Sequence, residues 1–281
     1  MNAPAIFDKN GKIRVRQFTL NSFLINLVFW ALILGSILGL FLIDYEGKDL
    51  FAATIKALDD FKVMFGNPQV GGDGSILSFL RNLRDVGITL ALAFLTTLIG
   101  GIIALGLGLL AAKNLSSKLQ STLIKQFVAF IRAVPTELWV FIFAIGAGLG
   151  SVAAVVGMTF HTIGHLIKSY SEAFEEIDEG VIEALKASGA NWLQIVFQAV
   201  LPSSLTYILS WTFVRFEINF VIAVAMGAAA GAGGIGFELS QSAYYYANMK
   251  RVGAVALLIL AVTAILETIA VKLKEKFHLQ G

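Results

Sequence analysis

The sequence predicts an all-α polytopic membrane protein with about six transmembrane helices, and three observations carry that prediction. Of 281 residues, 57% are hydrophobic and only 14% charged, whereas a soluble domain carries about 25% charge to cover its surface. Charge-free stretches run through residues 17–43, 86–112, 138–167, 187–214, 218–237 and 252–266, and roughly 20 mostly apolar residues suffice to cross the hydrocarbon layer. Basic residues flank both ends, Lys9, Lys12, Arg14 and Arg16 before the first stretch and Lys272, Lys274 and Lys276 after the last. The positive-inside rule then places both termini in the cytoplasm and makes the number of spans even.

The spans follow in order. The first, near residues 20–43, is too long for a signal-peptide core and lacks a small-residue cleavage site before Asp44-Tyr45-Glu46, so it is a retained helix. Residues 44–85 form an outward segment, with an amphipathic helix from Leu50 to Phe65 and turn signals at Gly66-Asn67-Pro68 and Gly71-Gly72-Asp73-Gly74. The second span covers 86–112. Leu138 to Ile167 reads either as one tilted span or as the meeting of two at the turn Gly146-Ala147-Gly148-Leu149-Gly150-Ser151. Even parity favours the hairpin, giving spans near 122–146 and 151–175, followed by 203–226 and 250–272. Lys113, Lys118 and Lys125 then lie inside, while Arg81, Arg84, Lys250 and Arg251 lie at the outer face against the bias. Residues 1–85 thus comprise an N-terminal tail, one helix and the outward segment, and 86–281 a five-helix core with a cytoplasmic loop at about 176–192.

Composition excludes several functions. A net charge of +2 gives no reason to expect a nucleic-acid partner. Zero cysteines exclude disulfides, thiol catalysis and thiolate metal sites. His161 and His165 have the spacing of a zinc pair but lack the accompanying Glu, so no metal is expected. Gly231, Gly233 and Gly236 match the spacing of a dinucleotide loop, yet they follow a membrane helix and not a β-strand. With Gly234 they form an outer turn, read either as a gate or as close packing. Neither Gly-Lys-Ser nor Gly-Lys-Thr occurs, so the chain carries no P-loop, and no catalytic residues are assigned.

Two constellations remain. The cytoplasmic loop from Glu172 to Asn191 holds six acidic residues against the single Lys186, which membrane insertion does not explain. Asp178 suits a helix start, Gly189 its end, and Ile182 and Leu185 share one face. Such a helix either docks in a groove of a cytoplasmic partner or packs on its own protein. Inside the spans, Arg215 and Glu217 stand two residues apart and point about 200° away from each other, while Arg215 and Asn219 share a face. His161, His165, Lys168 and Glu172 fall on another stripe. Ionisable groups in a bilayer are costly, so these stripes either line and gate a passage or fix helix packing.

A resemblance bears on both. Glu183-Ala184, Gly189 six residues later and Leu201-Pro202 twelve beyond it resemble the EAA loop of type I ABC importer permeases, with Leu185 in the place of the third motif residue and Ala199 in the place of an Ile. Arg132-Ala133-Val134-Pro135, His161-Thr162-Ile163-Gly164, Ser171-Glu172-Ala173, Glu183 to Ala190, Arg215-Phe216-Glu217-Ile218-Asn219 and Gly231 to Gly236 together resemble the phosphonate-type (phosphonate, phosphite or phosphate) permeases. Val221, Ile222 and Ala223 depart where those members often carry Arg followed by Ser or Ala.

The resemblance implies a type I ABC importer permease fold and a membrane-spanning subunit importing a small phosphorus oxyanion. It also implies a plasma (inner) membrane homodimer with two ATP-binding subunits and an extracytoplasmic substrate-binding protein. ATP and Mg would then sit on the partner ATPase, with none bound by this chain, which is not itself an enzyme. In that reading Glu179, Ile182, Glu183, Ala184, Leu185 and Gly189 couple to the ATPase, and His161, Arg215, Glu217 and Asn219 line the passage or gate. The alternatives are an ion-coupled secondary transporter or an ABC permease for an unrelated solute.

Overall fold

A computed structural model describes residues 20–42, 47, 49–70 and 75–278. The basic flank at 9–16, the polar Asp44-Tyr45-Glu46 and the turn Gly71 to Gly74 lie outside the described residues. The chain divides into two units, Met1–Leu58 and Asp59–Gly281. The first holds α1 (Leu20–Leu42), which is apolar on every side and buries none of its residues, and the beginning of α2 (Leu50–Gly66). A helix that is hydrophobic all round is suited to lipid contact.

The second unit is built around α6 (Ser151–Glu175), which packs against α3 (Ile76–Ala111), α4 (Lys118–Ala133), α5 (Thr136–Ala147) and α9 (Leu201–Ala230). Glycines bring these helices close. A Cβ on Gly100 would lie 2.7 Å from Thr162 Cγ2, one on Gly164 2.8 Å from Ile131 Cγ2, and one on Gly157 2.5 Å from Val140 Cα. In a bilayer, association depends on such backbone approach because lipid supplies no hydrophobic drive between helices. The larger side chains fill what is left. Leu166, Ile167, Tyr170 and Phe174 form one core with Val128, Ile182, Val196 and Val200, while Met158, Ala223, Met226 and Ala230 form another with Val140.

Among the described residues, four helical runs are long and apolar enough to cross a membrane, α1, α3, the run Trp192–Ala230 and α11 (Met249–His278), the last over Met249–Leu273. The pair α4 and α5 makes a fifth if it is one bent span. That pair corrects the straight span expected near 122–146, because the chain turns through 90° between the two helices. Proline excludes the helical conformation from the residue before it, and Val134 is accordingly extended (φ −97, ψ 125). The break orphans carbonyls at the end of α4, and Trp139 Nε1 recovers one by donating to Ile131 O at 3.0 Å. The 25-residue α6 is long enough to cross but more polar than these runs, and Thr159, His161, Thr162 and Ser171 on it are buried against neighbours while Lys168 and Glu172 are exposed.

Past α6 come α7 (Glu179–Ala187) and α8 (Trp192–Ile195), which runs through a π-helical turn, Val196–Val200, into α9. The wide turn answers Pro202. Proline lacks an N–H and crowds the carbonyl four residues back, and the π turn shifts the local pairing so that Leu201 N bonds Val196 O. The fifth span therefore extends well beyond 203–226. At its far end Gly231 adopts the left-handed conformation (φ 65), and Ala232 N closes the cap on Met226 O at 3.3 Å. A short α10 (Gly234–Ser240) and a second π turn, Gln241–Tyr245, lead to α11.

Candidate functional site

A polar layer crosses the helical core where α3, α6 and α9 meet the start of α5. Thr162 on α6 is its hub. Its Oγ1 accepts from Arg215 Nε at 3.3 Å, Arg215 Nη2 at 3.2 Å and Asn219 Nδ2 at 3.1 Å, and lies 3.2 Å from Asn219 Oδ1. Asn219 Nδ2 also donates to Thr97 Oγ1 on α3 at 2.8 Å. Arg215 Nη2 reaches His161 Nδ1 at 3.2 Å, and Thr136 Oγ1, at the first residue of α5, lies 2.6 Å from the same nitrogen. A guanidinium can only donate, so Nδ1 is the bare ring nitrogen and the threonine donates as well. The layer is closed to solvent, with Thr162 and Asn219 fully buried and Arg215 5% exposed.

Of the sequence-predicted passage residues, the structure brings His161, Arg215 and Asn219 together and leaves Glu217 outside. Glu217 is half-buried on the other side of α9, as the 200° separation requires. The α6 stripe is present, with the rings of His161 and His165 4.6 Å apart and Lys168 Nζ 2.5 Å from Glu172 Oε1. Sequence reasoning missed Thr97, Thr136 and Thr162. A threonine in an apolar helix carries no charge to betray it; the only signal was the position of Thr162 beside His161. No trio of His, Asp or Glu side chains among the described residues is placed to hold a metal.

The second site is the loop around α7. Asp178 Oδ1 accepts from Gly180 N at 2.8 Å and caps the helix, and Gly189 (φ +88) ends it. Ile182 is buried as part of the hydrophobic cluster that includes Leu166, Phe174, Ile195 and Val200, with Leu185 half-buried against that cluster, whereas Glu179, Val181, Glu183 and Ala184 face outward. The loop is anchored firmly. Trp192 Nε1 donates to Leu115 O at 3.0 Å, and Asn191 and Gln194 cap each other reciprocally. Glu175 Oε1 accepts from Lys113 N at 2.8 Å and Lys125 Nζ at 2.6 Å, and Asn114 Nδ2 donates to Phe174 O at 2.7 Å. The outward face of α7 is therefore carried on a hydrogen-bonded mount at one end of α3 and α6.

The glycine turn lies at the opposite end of α9. Gly231, Gly233 and Gly234 have positive φ, and a Cβ on Gly227 would meet Gly233 O at 2.6 Å. A Cβ on Gly236 would overlap Val224 O and one on Gly234 would overlap Thr89 Oγ1. Thr89 Oγ1 accepts from Ile235 N at 3.0 Å, tying the turn to the beginning of α3. Gly231, Gly233 and Gly234 are favoured here by backbone conformation and Gly236 by close approach.

Comparisons with known proteins agree with this geometry. Residues 104–271 match the family described as binding-protein-dependent transport system inner membrane component. The phosphite transport system permease protein of Stutzerimonas stutzeri is 32% identical over 201 residues, 71% of each chain. The phosphate-import permease protein of Mycolicibacterium smegmatis is 30% identical over 185 residues, 65% of this chain and 34% of that one. Among solved structures, the inward-facing MetNI methionine ABC transporter has a chain 25% identical with a TM-score of 0.63, covering 72% of this chain and 99% of that one.

Proposed function

Because the chain belongs to the family of binding-protein-dependent transport system inner membrane components, we propose that it is the permease through which an ABC importer moves a small phosphorus oxyanion, with α7 as the helix that couples it to a separate ATPase. The observation that carries the reading is the geometry of α7. One face is sunk into the core through Ile182, the opposite face presents Glu179, Glu183 and Ala184, and the mount is clamped by Trp192 and Glu175. A helix whose inner face joins the same hydrophobic cluster as α6 and α9 side chains, and whose flanks are hydrogen-bonded to the ends of neighbouring helices, transmits a push from a docked partner into the helical core. Two copies of the permease form the passage, two ATP-binding subunits dock beneath and supply ATP and Mg, and a substrate-binding protein delivers cargo to the end that holds Gly231 to Gly236. The α7 end is cytoplasmic, as are both termini. His161, Arg215 and Asn219 lie along the passage, and Glu217 faces away from them. The phosphorus oxyanion follows from the phosphite and phosphate permeases to which the chain is similar.

Copurification with the ATPase tests the coupling. Glu183→Arg is expected to cut both ATPase retention and transport about tenfold or more, the scale of a charge reversal at the centre of an interface. Transport by the purified chain without an ATPase, unaffected by Glu183→Arg, would reject the importer in favour of an ion-coupled transporter. Cargo is read by ATP hydrolysis of the assembled complex with its binding protein. Stimulation by phosphate, phosphite or methylphosphonate and not by methionine is expected, and the reverse would assign a different solute.

A further inference from the structure

Arg215 holds a positive charge that no carboxylate among the described residues answers. Its hydrogen bonds go to Thr162 Oγ1 and His161 Nδ1, both neutral groups, through Nε and Nη2. Of the five N–H donors of a guanidinium, the two on Nη1 have no acceptor among the described residues. The ion pairs of the described residues lie elsewhere, Asp59 with Lys62, Glu175 with Lys125, Glu172 with Lys168 and Glu238 with Arg251. A lone cation in a membrane core costs several kcal/mol unless something of opposite sign offsets it.

The surroundings continue along α6 toward one end of the helices, where basic side chains gather. His165 stacks edge-on to His161, one turn along α6. The Arg132 stem lies against Gly164, its Cγ 3.5 Å from where a Cβ would stand. Beyond it a cavity of about 300 Å³ opens between α4 and α6, lined by Lys113, Lys125, Arg132 and Lys168 against Glu172 and Glu175. Both carboxylates are taken by Lys125 and Lys168, leaving Arg132 and the Lys113 side chain without a carboxylate partner among the described residues. Four basic side chains against two carboxylates leave this cavity net positive, which repels a cation and attracts an anion.

We propose that Arg215 is the contact for the transported anion inside the membrane, its Nη1 donating to two oxygens of a small tetrahedral oxyanion, and that the anion leaves along α6 toward Arg132 and Lys113. The two coplanar N–H groups of Nη1, held in place by the bonds that Nε and Nη2 make, suit an oxyanion with several equivalent acceptors. This rests on the importer reading and adds to it the atom that holds the cargo.

The test reconstitutes the complete complex in proteoliposomes and measures uptake of labelled phosphate, phosphite and methylphosphonate per ATP hydrolysed. A residue that merely holds helices together lowers uptake and hydrolysis in step and leaves the ratio unchanged. Arg215→Gln is expected to lower the ratio about 10- to 100-fold, the factor carried by one or two charge-assisted hydrogen bonds, with Arg215→Lys lowering it less. An unchanged ratio in Arg215→Gln overturns the proposal and leaves the importer reading intact. If Arg215→Gln fails to assemble, the exposed Arg132→Gln is read the same way, with a fall of about two- to fivefold expected and no change overturning the proposal. Hydrolysis by the wild-type complex with uptake of none of the three anions would remove the oxyanion cargo, and this proposal with it.

Discussion

Thr162 decides the polar layer, because three donors converge on its single hydroxyl oxygen. Thr162→Val keeps the shape and removes the acceptor, so the Arg215 and Asn219 donors lose it in a dry environment. A loss of about 1–3 kcal/mol is expected, read as a lower midpoint in thermal unfolding of the detergent-solubilised protein, with Thr162→Ser close to wild type. A Val variant as stable as wild type would mean the layer is held by packing alone. Gly157 offers the complementary case of a residue whose absence of a side chain matters. A Cβ there meets the Val140 backbone at 2.5 and 2.6 Å, which cannot swing aside, whereas Gly106 on α3 has nothing within 4 Å. Gly157→Ala should therefore cost about 1–3 kcal/mol by overpacking and Gly106→Ala about nothing, a contrast lost if α5 and α6 are not in contact. The residue scale was half legible in the sequence. Charge exposed Arg215, and the four-residue offset correctly assigned Asn219 to its face. The threonines that receive both were invisible, since a hydroxyl in a membrane helix more often bonds the carbonyl four residues back, as Thr97 does to Ala93 O and Thr212 to Ile208 O.

Elements were legible where a local signal could act without competition. Asp178 and Gly189 bound α7 as the sequence indicates, because capping depends on adjacent backbone alone. The bend at Val134-Pro135 was missed although its signal was present. Lys118, Lys125 and Arg132 give α4 a polar face that a straight lipid-facing span could not keep, and the proline marks where the direction changes. The π turn before Pro202 had no signal beyond the proline itself. At α7 the local rules can be tested through the lever they define. Asp178→Ala removes the cap and is expected to cost the helix about 1 kcal/mol. Amide exchange across 180–187 should then quicken several-fold while that of α6 stays slow. Transport should fall with it, since a frayed α7 cannot transmit a push. Equal exchange in both proteins would show that the α7 fold is fixed by Ile182 and not by its ends.

At the scale of the whole molecule, the sequence argued orientation from the basic flank at 9–16, which lies outside the described residues, and from Lys272, Lys274 and Lys276 after the last span, and the helical core offers an independent argument. The late part of α3 meets α6 toward the α7 end of the core, where Gly108 faces Tyr170, and its early part meets the glycine turn, where Thr89 holds Ile235. One helical run, Trp192–Ala230, separates α7 from that turn and is long enough to cross once. Of the cations expected at the outer face against the positive-inside bias, Arg251 has a local reason for its position. Arg251 donates to Glu238 Oε1 at 2.6 Å and lies 4.5 Å from the Tyr246 ring centroid, so it is placed by its partners. Two positions on either side of this single crossing must therefore face different compartments, whatever the count of spans before it. Ser188 is exposed beside α7, and Tyr244, 89% exposed, lies past the glycine turn. The chain has no cysteine, so Ser188→Cys and Tyr244→Cys each introduce one thiol on a silent background. A membrane-impermeant maleimide should label Tyr244→Cys in intact cells and Ser188→Cys only in inverted vesicles. Labelling of both from one side would mean that Trp192–Ala230 does not cross, and α7 could not then reach an ATPase in the cytoplasm while the glycine turn receives cargo from outside.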